Sequence, residues 1–163
     1  MRGRPRTEEV CPFFTFHING DEVAAIHLPS AHTDGDAIVY FRHANVIHMG
    51  DVYVRYGYPF IDVSSGGSLT GMVRGVDRAL ALINDSTKVI PGHGDTADRA
   101  ALRVYRTMLA TIQDRVSGQV MAGANLEKIL ASKPTAEFDA VWGRGFVKPD
   151  DFVRFAYLNA ARP

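Results

Sequence analysis

Three short apolar runs in this chain each end at polar residues bordered by glycine or proline. That repetition narrows the folds open to it. Leu28-Pro29 leads into Ala31-His32-Thr33-Asp34-Gly35-Asp36, Val46-Ile47-His48-Met49 leads into Gly50-Asp51, and Val89-Ile90-Pro91 leads into Gly92-His93-Gly94. Short β-branched runs bounded by turn residues read as buried strands. The polar residues then fall in loops at strand edges, where rigid scaffolds present ligands. Glycine beside them lets the backbone approach an ion or a substrate closely. His32, Asp51 and His93 are therefore expected to converge.

The rest of the chain supplies a frame for these loops. Phe13 to Ile18 and Asp21 to Leu28 flank Asn19-Gly20, a strong signal for a tight hairpin. Ala37 to Phe41 and Val46 to Met49 flank the turn Arg42-His43-Ala44-Asn45 and form a second hairpin. Residues 52–67 show no periodicity and read as a long loop of Tyr, Gly and Ser directly after Asp51. Leu69, Met72, Val73, Val76, Leu80 and Ile83 recur at helical spacing behind Ser68, a residue suited to an N-cap, so a helix is expected over 69–83. Lys88-Val89-Ile90 is a strand. A long helix follows over 96–121 with Asp95 as its cap, then a short one over 126–131, and Pro149 opens a last one reaching about Leu158. The expected architecture is α/β (α+β): a mostly antiparallel, mixed sheet covered by helices on one face.

Composition excludes several classes. The 163 residues suit a single domain over 1–163, with residues 1–12 expected as a flexible tail that carries Arg2, Arg4 and Arg6. Eighteen basic residues balance eighteen acidic ones, so nothing points to nucleic acid or an anionic membrane. The single cysteine, Cys11, rules out an internal disulfide and a cysteine zinc cluster, and is expected to pack rather than react. No apolar run approaches the roughly 20 residues that span a bilayer. A cytoplasmic setting is the expectation.

Two imidazoles and one carboxylate suit Zn²⁺, and with open positions also Fe²⁺ or Mn²⁺. From spacing alone, Asp51 and the glycines read equally well as turn formers. His17 and His27 are expected on a solvated or satisfied strand face. His48 is expected in the core or behind a ligand. Asp34 and Asp36 either orient His32 or stabilise its turn. Tyr53, Tyr56 and Tyr58 line a pocket or pack a loop, and Trp142 reads as a buried anchor.

The ordered segments Ala31-His32-Thr33-Asp34-Gly35-Asp36, Ile47-His48-Met49-Gly50-Asp51 and Ile90-Pro91-Gly92-His93-Gly94 resemble the later metal motifs of the metallo-β-lactamase superfamily. Ser64-Ser65-Gly66-Gly67-Ser68 and the stretch from Trp142 to Pro149 add to the resemblance, which spans about residues 13–155. It implies an αββα sandwich of two similar halves. It also implies that His32 completes a first zinc site, that Asp51 bridges two zincs and that His93 belongs to the second site. The family's first-half motif, His-x-His-x-Asp-His, is absent, since no two histidines here stand two apart.

The chain thus resembles only the C-terminal half of that fold. The resemblance implies a truncated, metal-dependent hydrolase acting on a small molecule through metal-bound water, with one weakly held Zn²⁺ (or Fe²⁺ or Mn²⁺) on His32, Asp51 and His93. The alternative is a non-catalytic fragment or assembly module, active only if another chain supplies the missing half. A half-sandwich leaves an apolar sheet face exposed, so a homodimer or higher homo-oligomer through that face is expected.

Overall fold

The computed structural model describes residues 13–161. The expected tail with Arg2, Arg4 and Arg6, and Cys11 beside it, lie outside the described residues. Five strands form one mixed sheet in the order β1-β2-β3-β4-β5: β1 (Phe13–Ile18), β2 (Asp21–Leu28), β3 (Asp36–Phe41), β4 (Val46–His48) and β5 (Lys88–Ile90). The first four pair antiparallel to their neighbours, and β5 joins β4 in parallel.

Local chemistry explains the hairpins. Asn19 and Gly20 both take positive φ, 50° and 79°, the combination a two-residue turn requires if the strands are to keep their twist. Asn45 turns β3 into β4 at φ 53°, and its amide side chain bonds Asn84 and Ser86, which ties that turn to the loop before β5. Lys88 to Ile90 returns after a helix, and so joins in parallel, as a crossover connection permits.

Strand alternation gives the sheet two unlike faces. Ala24, Ile26, Leu28, Ile38, Tyr40, Ile47 and Val89 point one way and are buried. Over them lie α1 (Leu69–Leu82), α2 (Arg99–Met121) and α5 (Pro149–Ala160), with the short α3 (Leu126–Ala131) and α4 (Asp139–Trp142) between the last two. Ser68 caps α1 by accepting from the Gly71 N–H at 2.9 Å, while its own hydroxyl donates to the Ser30 carbonyl at 2.8 Å. A Cβ at Gly71 would stand 1.8 Å from that carbonyl oxygen, so only glycine lets α1 lie this close to the end of β2. Gln113 of α2 and Asn159 of α5 both donate to the Thr70 hydroxyl, at 2.9 and 3.1 Å, which joins the three large helices at one point.

The opposite face carries Phe14, Phe16 and Ile18, all exposed, and Ala25, Val39, Phe41, Val46 and Ile90, all partly exposed. Burial concentrated on one face and a mostly open apolar face on the other agree with a sheet covered by helices on one side. Among the described residues, no helix is long and apolar enough to cross a membrane.

Two details differ from the sequence reading. The long helix begins at Arg99, capped by Asp98, which accepts from the Ala101 N–H at 2.8 Å, and not by Asp95. Ala97 is the reason: its N–H and carbonyl both pair with Val89, at 2.8 and 2.9 Å, and hold the chain beside β5 until Asp98. The short α4 went unread, because four residues carry too little periodicity to register. Trp142 at its end is buried against Tyr105, with centroids 5.5 Å apart, as an anchor should be.

Candidate metal centre

All three strand-edge loops open on one end of the sheet. Asp51 lies in a single 3-10 turn, Gly50–Val52, directly after β4. Gly50 takes φ 54°, which reverses the chain so sharply that its carbonyl receives the Gly92 N–H at 2.8 Å. The Gly92 N–H also reaches the Tyr53 carbonyl at 3.0 Å, so the loop after β5 is laid directly on the loop after β4. A Cβ at residue 92 would fall 2.3 Å from Asp51 Oδ1, and glycine is therefore required there.

Asp51 stands between the two histidines. His93 Nε2 lies 3.3 Å from Asp51 Oδ1, and His32 Nε2 lies 3.7 Å from Asp51 Oδ2. Each carboxylate oxygen thus faces a different imidazole. His93 is well exposed, while His32 is largely covered. Among the described residues, no group of three or more His, Cys, Asp or Glu side chains is disposed to enclose a metal ion. The structure brings His32, Asp51 and His93 together, with one carboxylate shared between the two imidazoles.

His32 is the most constrained of the three. Its Nδ1 lies 2.8 Å from the Phe60 carbonyl. A carbonyl only accepts, so Nδ1 carries the hydrogen, and Nε2 is turned to Asp51. Its backbone carbonyl receives the Asp62 N–H at 2.9 Å, and a Cβ at Gly67 would come within 2.2 Å of that oxygen. Asp62 itself organises the turn at Val63–Ser65, accepting from the N–H and hydroxyl of both Ser64 and Ser65. Those hydroxyl and amide donors hold the Asp62 carboxyl down to about 2.

The remaining polar residues have structural duties. Asp36 accepts from the Thr33 N–H at 2.6 Å and Asp34 from the Ser30 N–H at 3.3 Å, so both shape the turn that carries His32. His27 Nε2 meets the Asp34 carbonyl at 2.6 Å, a satisfied strand histidine as expected. His48 is exposed on the open sheet face, not in the core, and its Nδ1 accepts from the Gly50 N–H at 3.1 Å. It supports the backbone beneath Asp51.

A cavity of about 430 Å³ adjoins the three residues. Beyond His32, Asp51 and His93, its walls are Val54, Tyr56, Gly57, Tyr58, Phe60, Phe146 and Val147. Tyr56 and Tyr58 line it, whereas Tyr53 is buried against Tyr105. Phe60, Phe146 and Val147 were not singled out as site residues from the sequence. Phe146 comes from a segment more than a hundred positions from His32, and only the fold places it at this mouth.

No family model matches the chain, and no curated protein is similar to it in sequence. Solved structures are similar to it in shape. A stereoselective inverting sec-alkylsulfatase from a Pseudomonas species superposes with a TM-score of 0.71 at 20% identity, over 92% of this chain and 26% of that one. A metallo-β-lactamase from Pontibacter korlensis superposes with a TM-score of 0.52 at 19% identity, over 67% of this chain and 50% of that one. The chain carries part of the metallo-β-lactamase fold. It spans about a quarter of the alkylsulfatase and half of the Pontibacter enzyme. DIM-1 metallo-β-lactamase gives a TM-score of 0.50 over 61% of the chain, at 19% identity. At such identities the metallo-β-lactamase likeness concerns the fold, and the chemistry must be argued from the residues.

Proposed function

We propose that this metallo-β-lactamase-like chain is a metal-dependent hydrolase unit in which His32, Asp51 and His93 hold one Zn²⁺. The observation that carries the reading is the arrangement of two imidazole Nε2 atoms around the two oxygens of one carboxylate. With Nδ1 committed to the Phe60 carbonyl, the Nε2 lone pair of neutral His32 faces Asp51 Oδ2. Two such electron-rich groups repel unless a positive charge stands between them, and a proton or a metal cation supplies it. The donor set, two imidazoles and a carboxylate, fits zinc and leaves positions open.

When bound, the metal supplies Lewis acidity and an activated water at neutral pH. The chain's own residues do the rest. Phe60, through its backbone, fixes the tautomer and plane of His32. The Gly92 amide and its missing side chain seat Asp51. Phe60 and Phe146 give the mouth an apolar rim.

Elemental analysis of the purified chain after zinc loading and dialysis tests the reading. About one equivalent retained, and lost in His32→Ala and in His93→Ala, is the expected result. Retention unaffected by both substitutions would overturn it. Hydrolysis of an aryl acetate, followed with and without zinc, then tests the activity itself.

A second reading is favoured by the open sheet face: a non-catalytic assembly module that associates through that face. We propose a second copy of this chain as the occupant, since the apolar strip of Phe14, Phe16, Val39 and Phe41 runs across neighbouring strands and would bury itself on association. A chain that associates through this face and hydrolyses nothing with zinc present, in either form, would favour it over the first reading.

A further inference from the structure

We propose that the cavity beside Asp51 takes a ligand with a compact aromatic group joined to one polar, reacting end, and rejects polyhydroxylated ligands of the same size. The proposal deepens the hydrolase reading and rests on it only for where the reacting end lies; the aromatic wall is independent of any metal. Phe146 is 90% exposed, Tyr56 61% and Phe60 44%, and all three ring the same opening. Single exposed apolar residues are ordinary, but several around one concavity mark a binding surface.

The segments that bear these rings are held in place, so their exposure is not the result of a loose loop. Gly57 and Gly145 touch backbone to backbone, since a Cβ on Gly57 would lie 2.9 Å from the Gly145 Cα and one on Gly145 would lie 2.7 Å from the Gly57 Cα. The Tyr58 N–H donates to the Trp142 carbonyl at 3.1 Å, and Tyr58 bridges to Val147. Lys148 Nζ closes the turn on the Gly145 carbonyl at 2.9 Å. Phe146 sits at the tip of this clamped segment. Phe60 is fixed edge-on against Phe155, centroids 5.4 Å apart at 88°.

Among the described residues, the tyrosine hydroxyls of the wall are turned to partners outside the cavity. Tyr58 lies flat on Phe152, with centroids 4.8 Å apart, and its hydroxyl donates away from the cavity to Asp139 Oδ1 at 2.8 Å. The Tyr56 hydroxyl is committed to the Asp95 carboxylate. Both tyrosines therefore offer the cavity ring surface. Polar capacity is concentrated at His32, Asp51 and His93. A sugar-like ligand placed here would surrender its water hydrogen bonds to ring faces that cannot replace them. An aryl group gains burial and edge or face contacts with three rings. The volume, about 430 Å³, holds a one- or two-ring group with a short polar end.

The test uses neutral probes, which need no metal: 1-naphthalenemethanol against methyl β-glucoside, titrated by calorimetry into the full chain. Naphthalenemethanol should bind at least about tenfold more tightly than the glucoside. Phe146→Ser, at an exposed position that the fold does not depend on, should weaken it by about five- to tenfold. Phe16→Ser on the open sheet face should leave it unchanged and so separates the cavity from that apolar surface. Equal binding of the two probes, no binding of either at millimolar concentration, or loss in Phe16→Ser but not in Phe146→Ser would each overturn the proposal. Zinc retention is measured separately. Discrimination without zinc sinks the hydrolase reading and leaves this one standing, and zinc without discrimination does the reverse.

Discussion

Gly92 and Asp51 occupy one another's space: a methyl group on residue 92 would stand 2.3 Å from Asp51 Oδ1 and 2.7 Å from the Gly50 carbonyl oxygen. The loop after β5 thus packs its bare backbone against the carboxylate that both histidines face. Gly92→Ala should push Asp51 out of line with His32 and His93. Overpacking of this kind costs about 1–3 kcal/mol. A fall in melting temperature together with loss of retained zinc is the expected outcome. A variant as stable as the parent, with zinc intact, would show that the contact is relaxed at no cost.

Removing either histidine separates structural from ligand roles. His32→Ala removes the donor to the Phe60 carbonyl and a largely covered ring, and should cost about 0.5–1.5 kcal/mol as well as zinc. His93 is well exposed, so His93→Ala should lose zinc with stability within about 0.5 kcal/mol of the parent. Chemical denaturation and elemental analysis on the same samples check both. Equal destabilisation by the two substitutions would contradict the geometry.

The turn that holds His32 should be pH-sensitive at its acid limit. The Asp62 carboxyl is held down to about 2 from an ordinary 3.8 by Ser64 and Ser65. A lowered folded-state value means that the ionised form is the one the turn binds. Its contribution is therefore complete above about pH 4 and disappears as the pH falls through about 2. Protection of the Ser64, Ser65 and Gly67 amides, measured relative to their intrinsic exchange rates, should fall over that window in the parent. In Asp62→Asn it should be low already at neutral pH and change little on acidification.

The open sheet face gives a prediction about assembly. A second copy is expected to cover Phe14 and Phe16, so the chain should sediment as a dimer at tens of micromolar. Phe16→Glu would place a charge in that contact and should yield a monomer with unchanged circular dichroism. A parent chain that stays monomeric at high concentration defeats the idea.

Much of the frame was legible in the residues themselves. Asn19-Gly20 announced its hairpin because few residues take positive φ twice in succession. Ser68 announced the start of α1, and Leu69, Met72 and Val76 its buried side, because helical spacing leaves a plain trace. His32, Asp51 and His93 could be picked out as loop residues after strands. Asp98, by contrast, could not be preferred to Asp95, because the choice turns on Ala97 pairing with Val89 across the sheet edge. Of the two places open to His48, in the core or behind a ligand, the core is excluded, because the same strand alternation that buries Ile47 turns His48 to the open face, where it accepts from the Gly50 N–H.

The sequence by itself determined the order of strands and helices, the turns that reverse the chain, and which residue types stand at the strand ends. These rest on contacts between near neighbours, and local chemistry is enough to specify them. Tertiary structure alone decided that Asp51 faces one histidine with each oxygen, that the Phe60 carbonyl sets the tautomer of His32, and that Phe146 closes the far side of the cavity. Those relations join residues tens of positions apart. They exist only once Gly92 has let two loops touch and the pair Gly57 and Gly145 has let two others do the same, and no pattern along the chain records which glycine will meet which backbone.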